Sequence, residues 1–406
     1  MPDTPQRDKV FRSPIDLAFK LGMITFCRLI LNTSRRFVYP FAPALSRSLG
    51  VDLTAVTNMI AVNQATGIVT IFYGPLADKL GYRLMMITGL GLLGAGMLAA
   101  GLHPTYVFIF AALFLAALAK NVFDPALQAY VGHTVPFHRR GLVIGVLEFG
   151  WAASSLIGIP VAGLLISKWG WNATFLVLGA SGLLGLLFLR FFFPKVQERG
   201  AGMYRVLNYW DMWRLLIREK TARGALAYVF LVSMANDNLF VVYGAWLEKD
   251  FGLSVVALGL GTSVIGASEL LGEFLTASLS DRLGLKRTVF IGLALSSAAY
   301  LVLPFIGVGL GPALAGLGLI FLTFEFTLVT SLSLATELLP QARATMMAGF
   351  LALGGLGRVA GALIGVRLWL AGGITMTAIV SSGCSIVALL CLWRGLAGWT
   401  RSRRPL

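Results

Sequence analysis

The sequence predicts an all-α membrane protein of twelve transmembrane helices in two six-span halves, on three observations. Hydrophobic residues make up 57% of the 406 and charged residues 13%, with a mean hydropathy of +0.81, whereas a soluble chain is about half apolar and a quarter charged. Apolar segments of about 20 residues, long enough to cross a hydrocarbon layer of roughly 30 Å, recur from near residue 21 to near residue 394. Short polar motifs repeat at an offset of about 203 residues, as an internal duplication requires.

The spans in order are 21–45, 53–76, 85–101, 106–132, 142–166, 172–193, 223–247, 253–277, 288–307, 312–337, 345–370 and 374–394. Residues 1–20 mix Arg7, Lys9, Arg12 and Lys20 with Asp3, Asp8 and Asp16 and show no small-residue cleavage site, so the first span is expected to be retained. If the N-terminus is cytoplasmic, the inner segments hold 23 of the 33 basic residues and the outer loops only Arg47, Lys168 and Lys249. The positive-inside rule then places both termini in the cytoplasm of an inner-membrane protein. That placement, with anionic lipid headgroups as partners, accounts for the +15 net charge without a nucleic-acid partner. Cys27, Cys384 and Cys391 all lie in spans, which fits packing residues. No metal-ligand spacing and no nucleophile–base cluster appears, so no metal, no cofactor and no enzymatic activity is expected.

The first span carries Arg28, Asn32, Arg35, Arg36 and Tyr39 at spacings of three and four, one polar stripe on an apolar cylinder, as on a helix facing an aqueous cavity. Adjacent residues differ by about 100° around a helix, so the choice between Arg35 and Arg36 as the cavity-facing residue stays open, with Arg36 the first to mutate and Arg35 the alternate. Arg28 is read as a snorkelling or capping residue near the inner end. In the fourth span Lys120, Asp124 and Gln128 share a face, and Pro125 is expected to interrupt the helical hydrogen bonds. The fifth span holds Glu148 and the small-residue run Ser154 to Gly163; Glu148, like Arg367 of the eleventh span, is read as a structural pair or interfacial gate. Residues 194–222 form a basic linker with an amphipathic helix expected around Tyr209 to Ile217. The domains are therefore 1–193, linker 194–222, and 223–406.

In the second half, the seventh span carries Asn236, Asp237, Asn238 and Tyr243, the tenth Glu325 with Thr323, Thr327 and Thr330, and the eleventh Arg358. The eighth carries Glu269 and Glu273, two carboxylates one turn apart. They repel unless one is protonated, a cation lies between them, or Arg358 or Lys120 neutralises one. A charge at mid-span is unfavourable by roughly 2.5–3.5 kcal/mol even on the milder insertion scale, so each of these groups demands a partner, water or a function. Six basic mid-span residues (Arg28, Arg35, Arg36, Lys120, Arg358, Arg367) face six acidic ones (Asp124, Glu148, Asp237, Glu269, Glu273, Glu325), a balance that favours internal pairing. An ion pair of Arg35 or Arg36 with Asp124, locking span 1 to span 4, stands beside direct substrate contact as a reading of the stripe.

The duplication is carried by Gly74-x-Leu76-Ala77-Asp78-Lys79-x-Gly81-x-Arg83 after the second span and Ser280-Asp281-Arg282-x-Gly284-x-Lys286-Arg287 after the eighth. Further matches are Val135-Pro136 and Arg139 with Leu339-Pro340 and Arg343. With these paired loops and twelve spans the whole chain resembles the major facilitator superfamily. The resemblance implies two bundles related by a pseudo-twofold axis along the membrane normal, a mid-membrane substrate site between them, and alternating access. It implies that spans 1, 4, 7 and 10 line the cavity, and that Gly74, Asp78, Arg83, Asp281 and Arg282 gate the motion. Gly158-Ile-Pro160 resembles the Gly-Pro motif of efflux-type members with one residue inserted; close helix packing explains the same letters. The arginine of drug-efflux members in span 4 is absent, so their coupling scheme does not carry over.

The expected function is proton-coupled secondary transport of a small organic solute, with efflux by proton antiport as the leading form. Uptake or exchange of an organic anion is the alternative, a lipid-like solute the third form, and a non-transporting receptor or scaffold the reading from another class. The expected substrate-binding residues are Asn32, Arg35, Arg36, Tyr39, Asp124, Gln128, Asn236, Asp237, Glu325 and Arg358. Glu269, Glu273 and Asp237 are the expected proton-coupling residues, and Gly158 and Pro160 join the gating set. The partners are the solute, protons and membrane lipids, with the protein a monomer.

Overall fold

The computed structural model describes residues 14–69, 80–135, 137–193, 214, 216–339 and 343–399. Gly74 and Asp78 of the gating set, and most of the expected linker helix, lie outside the described residues. The elements are α1 (Pro14–Arg36), α2 (Val38–Leu49), α3 (Leu53–Ala65) with a 3-10 turn Thr66–Val69, α4 (Tyr82–Leu102), α5 (Tyr106–Thr134) and α6 (Phe137–Ala153). A π-helical turn Ser154–Gly158 leads into α7 (Ile159–Phe192), followed by α8 (Lys220–Phe240), α9 (Tyr243–Phe251), α10 (Val255–Leu283), α11 (Leu285–Ile306), α12 (Leu310–Leu338) and α13 (Arg343–Gly395). Among the described residues there is no strand, as expected where backbone polar groups must be satisfied within the segment itself. Among the described residues, eight helical stretches are long and apolar enough to cross a membrane. Three of them contain a break in helical geometry, at Gly170, between Phe240 and Tyr243, and at Gly372–Gly373.

The breaks follow local chemistry. The expected first span is two helices, with a turn at Phe37 whose N–H still donates to the Thr33 carbonyl. Pro125, in contrast, does not end α5, which runs through it from Tyr106 to Thr134, in line with the continuous span drawn there. A proline removes one hydrogen bond, and the surrounding apolar residues hold the rest of the helix in place.

The described residues form two compact units. The first lies within Met1–Val51, Thr66–Met203 and Ser254–Gly266, the second within Asp52–Ala65, Tyr204–Leu253 and Ala267–Leu406. In the first, α4 packs on α5 and α7, and α1 packs on α6, the π-turn and α7. Gly158 lets α1 approach: a Cβ there would lie 1.9 Å from Thr33 Oγ1. In the second, α8 lies along α13, α11 packs on α12 and α13, and α3 packs on α13. Gly357, Gly361 and Gly365 recur every four residues, and a Cβ on each would lie 2.1, 2.6 and 2.5 Å from the carbonyl oxygens of Phe230, Met234 and Asn238. The α8 and α13 backbones thus touch along a stripe that only glycine allows, the arrangement membrane helices use where no hydrophobic effect drives them together.

The duplication is visible in the backbone. The left-handed glycines pair as Gly50 with Gly252, Gly81 with Gly284 and Gly170 with Gly373, at offsets of 202, 203 and 203 residues. The break at Phe37 corresponds to the one between α8 and α9. Arg83 donates from Nε to the Leu189 carbonyl at 3.2 Å and from Nη2 to the Arg190 carbonyl, while Lys286 donates to the Leu396 carbonyl at 2.9 Å. In both units a basic residue just after a left-handed glycine therefore holds the carbonyl end of a later helix, where a cation is favoured.

Candidate functional site

The charged residues of the first unit converge on Arg28. Its guanidinium donates to both oxygens of Glu148, at 3.0 and 3.3 Å, and its Nε lies 3.5 Å from Asp124 Oδ1. Lys120, one turn before Asp124 on α5, donates to Asp124 Oδ2 at 2.5 Å. Arg28 and Lys120 are buried, and Arg35 is close enough to act electrostatically on Asp124 and Lys120. Beside this group lies a cleft of about 20 Å³, room for one water, lined by Arg28, Asp124, Gln128 and Glu148 with apolar neighbours. The fork-on-carboxylate geometry gives the pair a fixed direction as well as attraction.

One expectation is corrected here. Arg28, read as a snorkelling or capping residue near the inner end, is the hub of the cluster, because α6 presents Glu148 to it across a close approach at Gly150. Asp124 is held by Arg28 and Lys120, with Arg35 close enough to act on it electrostatically. Glu148 is paired with Arg28.

Further along the stripe, Asn32 is fully buried and donates to the Gly150 carbonyl at 3.2 Å. Arg36 donates to Ser154 Oγ at 3.3 Å and to the Trp151 carbonyl at 3.5 Å, with its guanidinium carbon 4.3 Å from the centroid of the Trp151 ring. Lys120 Nζ lies 5.2 Å from the same ring, so one indole faces two cations. Tyr39 is buried in α2, and Arg35 is half-buried. The stripe therefore packs on α6 and the π-turn. Pro160 and Gly163, past that turn, meet the first turns of α10 at Gly259 and Val255.

In the second unit Asp237 is fully buried. It accepts from Gln64 Nε2 of α3 at 3.3 Å, and Arg358 Nε of α13 is 4.0 Å from its other oxygen. Asn236 and Asn238 flank it and are buried; among the described residues both amide atoms of Asn238 have no hydrogen-bond partner. Glu325 is buried on α12, with Gly272 of α10 against its Cβ. Glu269 is buried and Glu273 half-buried on α10. Arg358 is engaged by Asp237, and Lys120 by Asp124. Arg367 turns back to the Leu363 carbonyl of its own helix. Arg282 is exposed, and Asp281 lies in α10.

Gln64 and Trp151 were not singled out from the sequence. Gln64 carries a signal, since Asn63-Gln64 is a polar pair inside an apolar span; Trp151 carries none, because an indole in a span reads equally as packing.

The sequence profile of the Major Facilitator Superfamily matches residues 24–209 and 225–405. The chain is 27% identical to the MFS-type transporter YceJ of Bacillus subtilis over 321 residues, 78% of this chain and 80% of the relative. It is 24% identical over 284 residues to the multidrug resistance protein MdtG of Salmonella typhimurium, covering 66% of this chain and 68% of that one. It is likewise 24% identical to the multidrug resistance efflux pump PmrA homolog of Lactococcus lactis, covering 68% and 70%. Among solved structures, a POT family transporter in complex with 5-aminolevulinic acid superposes with a TM-score of 0.74 at 16% identity, over 92% of this chain and 95% of that one. A bacterial homolog of the human lysosomal transporter Spinster gives 0.69 at 15%, over 95% and 96%. The paired loop motifs, the all-helical fold with its duplicated glycines and the profile match along both halves agree: the chain belongs to the Major Facilitator Superfamily and is a multi-pass membrane transporter.

Proposed function

We propose that the protein exports a small organic solute by proton antiport, through alternating access. The observation that carries this reading is the ion cluster of the first unit. Arg28, Lys120, Asp124 and Glu148 come together there, while the positions 203 residues later hold Leu231, Thr323, Thr327 and Leu351. The second half therefore packs the same helices without the charges, so the cluster is not a requirement of the fold. Charges retained in a membrane against a penalty of roughly 2.5–3.5 kcal/mol each are retained for function. The multidrug efflux relatives support the direction.

In this proposal the eight long apolar stretches, two of them interrupted at glycines, join α1–α2 and the α3 region to make twelve spans. Two six-span bundles, 1–193 and 223–406, are joined by the linker 194–222, with both termini in the cytoplasm and a monomer in the inner membrane. Asn32, Arg35, Arg36, Tyr39, Asp124, Gln128, Asn236, Asp237, Glu325 and Arg358 contact the solute. Glu269, Glu273 and Asp237 carry protons, and Arg83, Asp281, Arg282, Gly158, Pro160, Gly74 and Asp78 govern the conformational change. The test is transport by proteoliposomes given amphipathic cations, organic anions and sugars, with the pH gradient imposed in each direction. Solute movement against its own gradient only when protons run the opposite way supports antiport. Movement with the protons replaces it by symport, and no movement of any solute removes the transport reading of the cluster.

A further inference from the structure

The second unit carries an apolar groove of about 600 Å³ at the start of α8. Leu216 and Leu226 are its buried floor, Ala227, Phe230 and Leu353 its half-buried sides, and Arg223 stands exposed beside them. Its size is that of a site for a small organic ligand, roughly 300–1,000 Å³. The chain leading into it is mostly basic: Arg214, Arg218, Lys220 and Arg223 are all exposed within ten residues, against the single carboxylate of Glu219.

The repeat does not require this groove. The positions 203 residues earlier than Leu226, Ala227, Phe230 and Leu231 are Met23, Ile24, Cys27 and Arg28. There the counterpart of the groove residue Leu231 is Arg28, which is engaged by Glu148, so the first half carries a paired charge where the groove carries an apolar side chain. An apolar slot alone takes any hydrocarbon chain. A slot with Arg223 on its rim and three more exposed cations in the adjoining chain favours a chain that ends in a negative headgroup, because each cation near an anionic lipid surface adds about 1 kcal/mol.

We propose that the groove holds one acyl chain of an anionic phospholipid, with the headgroup phosphate on Arg223. The site is independent of the solute and its coupling, so it stands or falls whether or not the antiport reading does. The test is native mass spectrometry of the purified full-length protein, released from detergent in the presence of phosphatidylglycerol or phosphatidylcholine with identical chains. The expected result is that the most tightly held lipid is phosphatidylglycerol. Arg223→Gln weakens it about fivefold, the size of one headgroup–cation contact, and Arg223→Lys restores it. Ala227→Trp, which fills the groove, removes it; Ala227→Leu is the milder companion, and thermal unfolding confirms that each variant is folded. Equal retention of the two lipids, retention unchanged in folded Arg223→Gln or in both folded Ala227 variants, or displacement of the lipid by glycerol phosphate at equal concentration overturns the proposal.

Discussion

Arg28 holds two helices at once, and its removal separates the energetic from the functional role of the cluster. Leu occupies the corresponding positions of both Arg28 and Glu148 in the second half, so leucine is a shape that this fold accepts there. Arg28→Leu leaves Glu148 and Asp124 without their shared cation and is expected to destabilise by about 2 kcal/mol. This is below a fully buried pair because the Glu148 side chain is 39% exposed. Arg28→Leu combined with Glu148→Leu is expected to recover roughly 1 kcal/mol of that loss, the coupling typical of contacting residues, without restoring the transport that the proposed role of the cluster predicts Arg28→Leu to lose. Thermal unfolding of the four species in detergent checks the cycle; strict additivity means that the two side chains are not energetically paired. At the next turn of the stripe, Arg36→Lys keeps the charge but loses the planar stacking on Trp151, and is expected to weaken solute binding where Arg36→Ala eliminates it. Wild-type transport by Arg36→Ala removes that residue from the site.

Helix contacts decide how closely the charged groups can approach, and the α8–α13 contact is the most restrictive. A Cβ at Gly357 would lie 2.1 Å from the Phe230 carbonyl oxygen and 2.9 Å from its carbon, backbone atoms with no rotamer to give way. Gly357→Ala is therefore expected to destabilise by about 3 kcal/mol, the upper end of overpacking, and to lower the yield of folded protein. Gly355 is on the same helix with nothing within 4 Å of the built Cβ. There alanine removes a flexible residue from a helix interior, and Gly355→Ala is expected to stabilise by about 0.5–1 kcal/mol. Parallel melting curves of the two variants test the stripe directly, and equal effects refute it. The π-turn at Ser154–Gly158 is a second element-level feature. It adds a residue to the turn between Glu148 and Pro160 just where Arg36 reaches Ser154. Such a turn commonly marks a functional site in a helix.

At the scale of the whole molecule, the proposed antiport assigns the carboxylates of α10 to proton coupling. Glu269→Gln and Glu273→Gln are each expected to abolish gradient-driven transport, with solute exchange surviving in at least one of them, because exchange needs the site but not proton release. Gradient-driven transport unchanged in both variants removes the pair from that role. The membrane fold was legible from composition, from apolar segments of spanning length, and from an offset that reappears as paired left-handed glycines, Gly81 with Gly284 and Gly170 with Gly373. These are local or periodic properties, set by the side chains and the backbone freedom of each segment. The residues of the candidate site were legible as charges that do not belong in lipid, but their partners were not. Arg28 and Glu148 are 120 positions apart, and their meeting depends on a glycine at 150 that lets two backbones approach. The same holds for Gln64 with Asp237, 173 positions apart. The sequence by itself determined that this is a helical, internally duplicated membrane protein with charges inside its spans. Only the tertiary structure decided which of those charges neutralise one another, because pairing depends on distances across helices that side-chain periodicity does not encode.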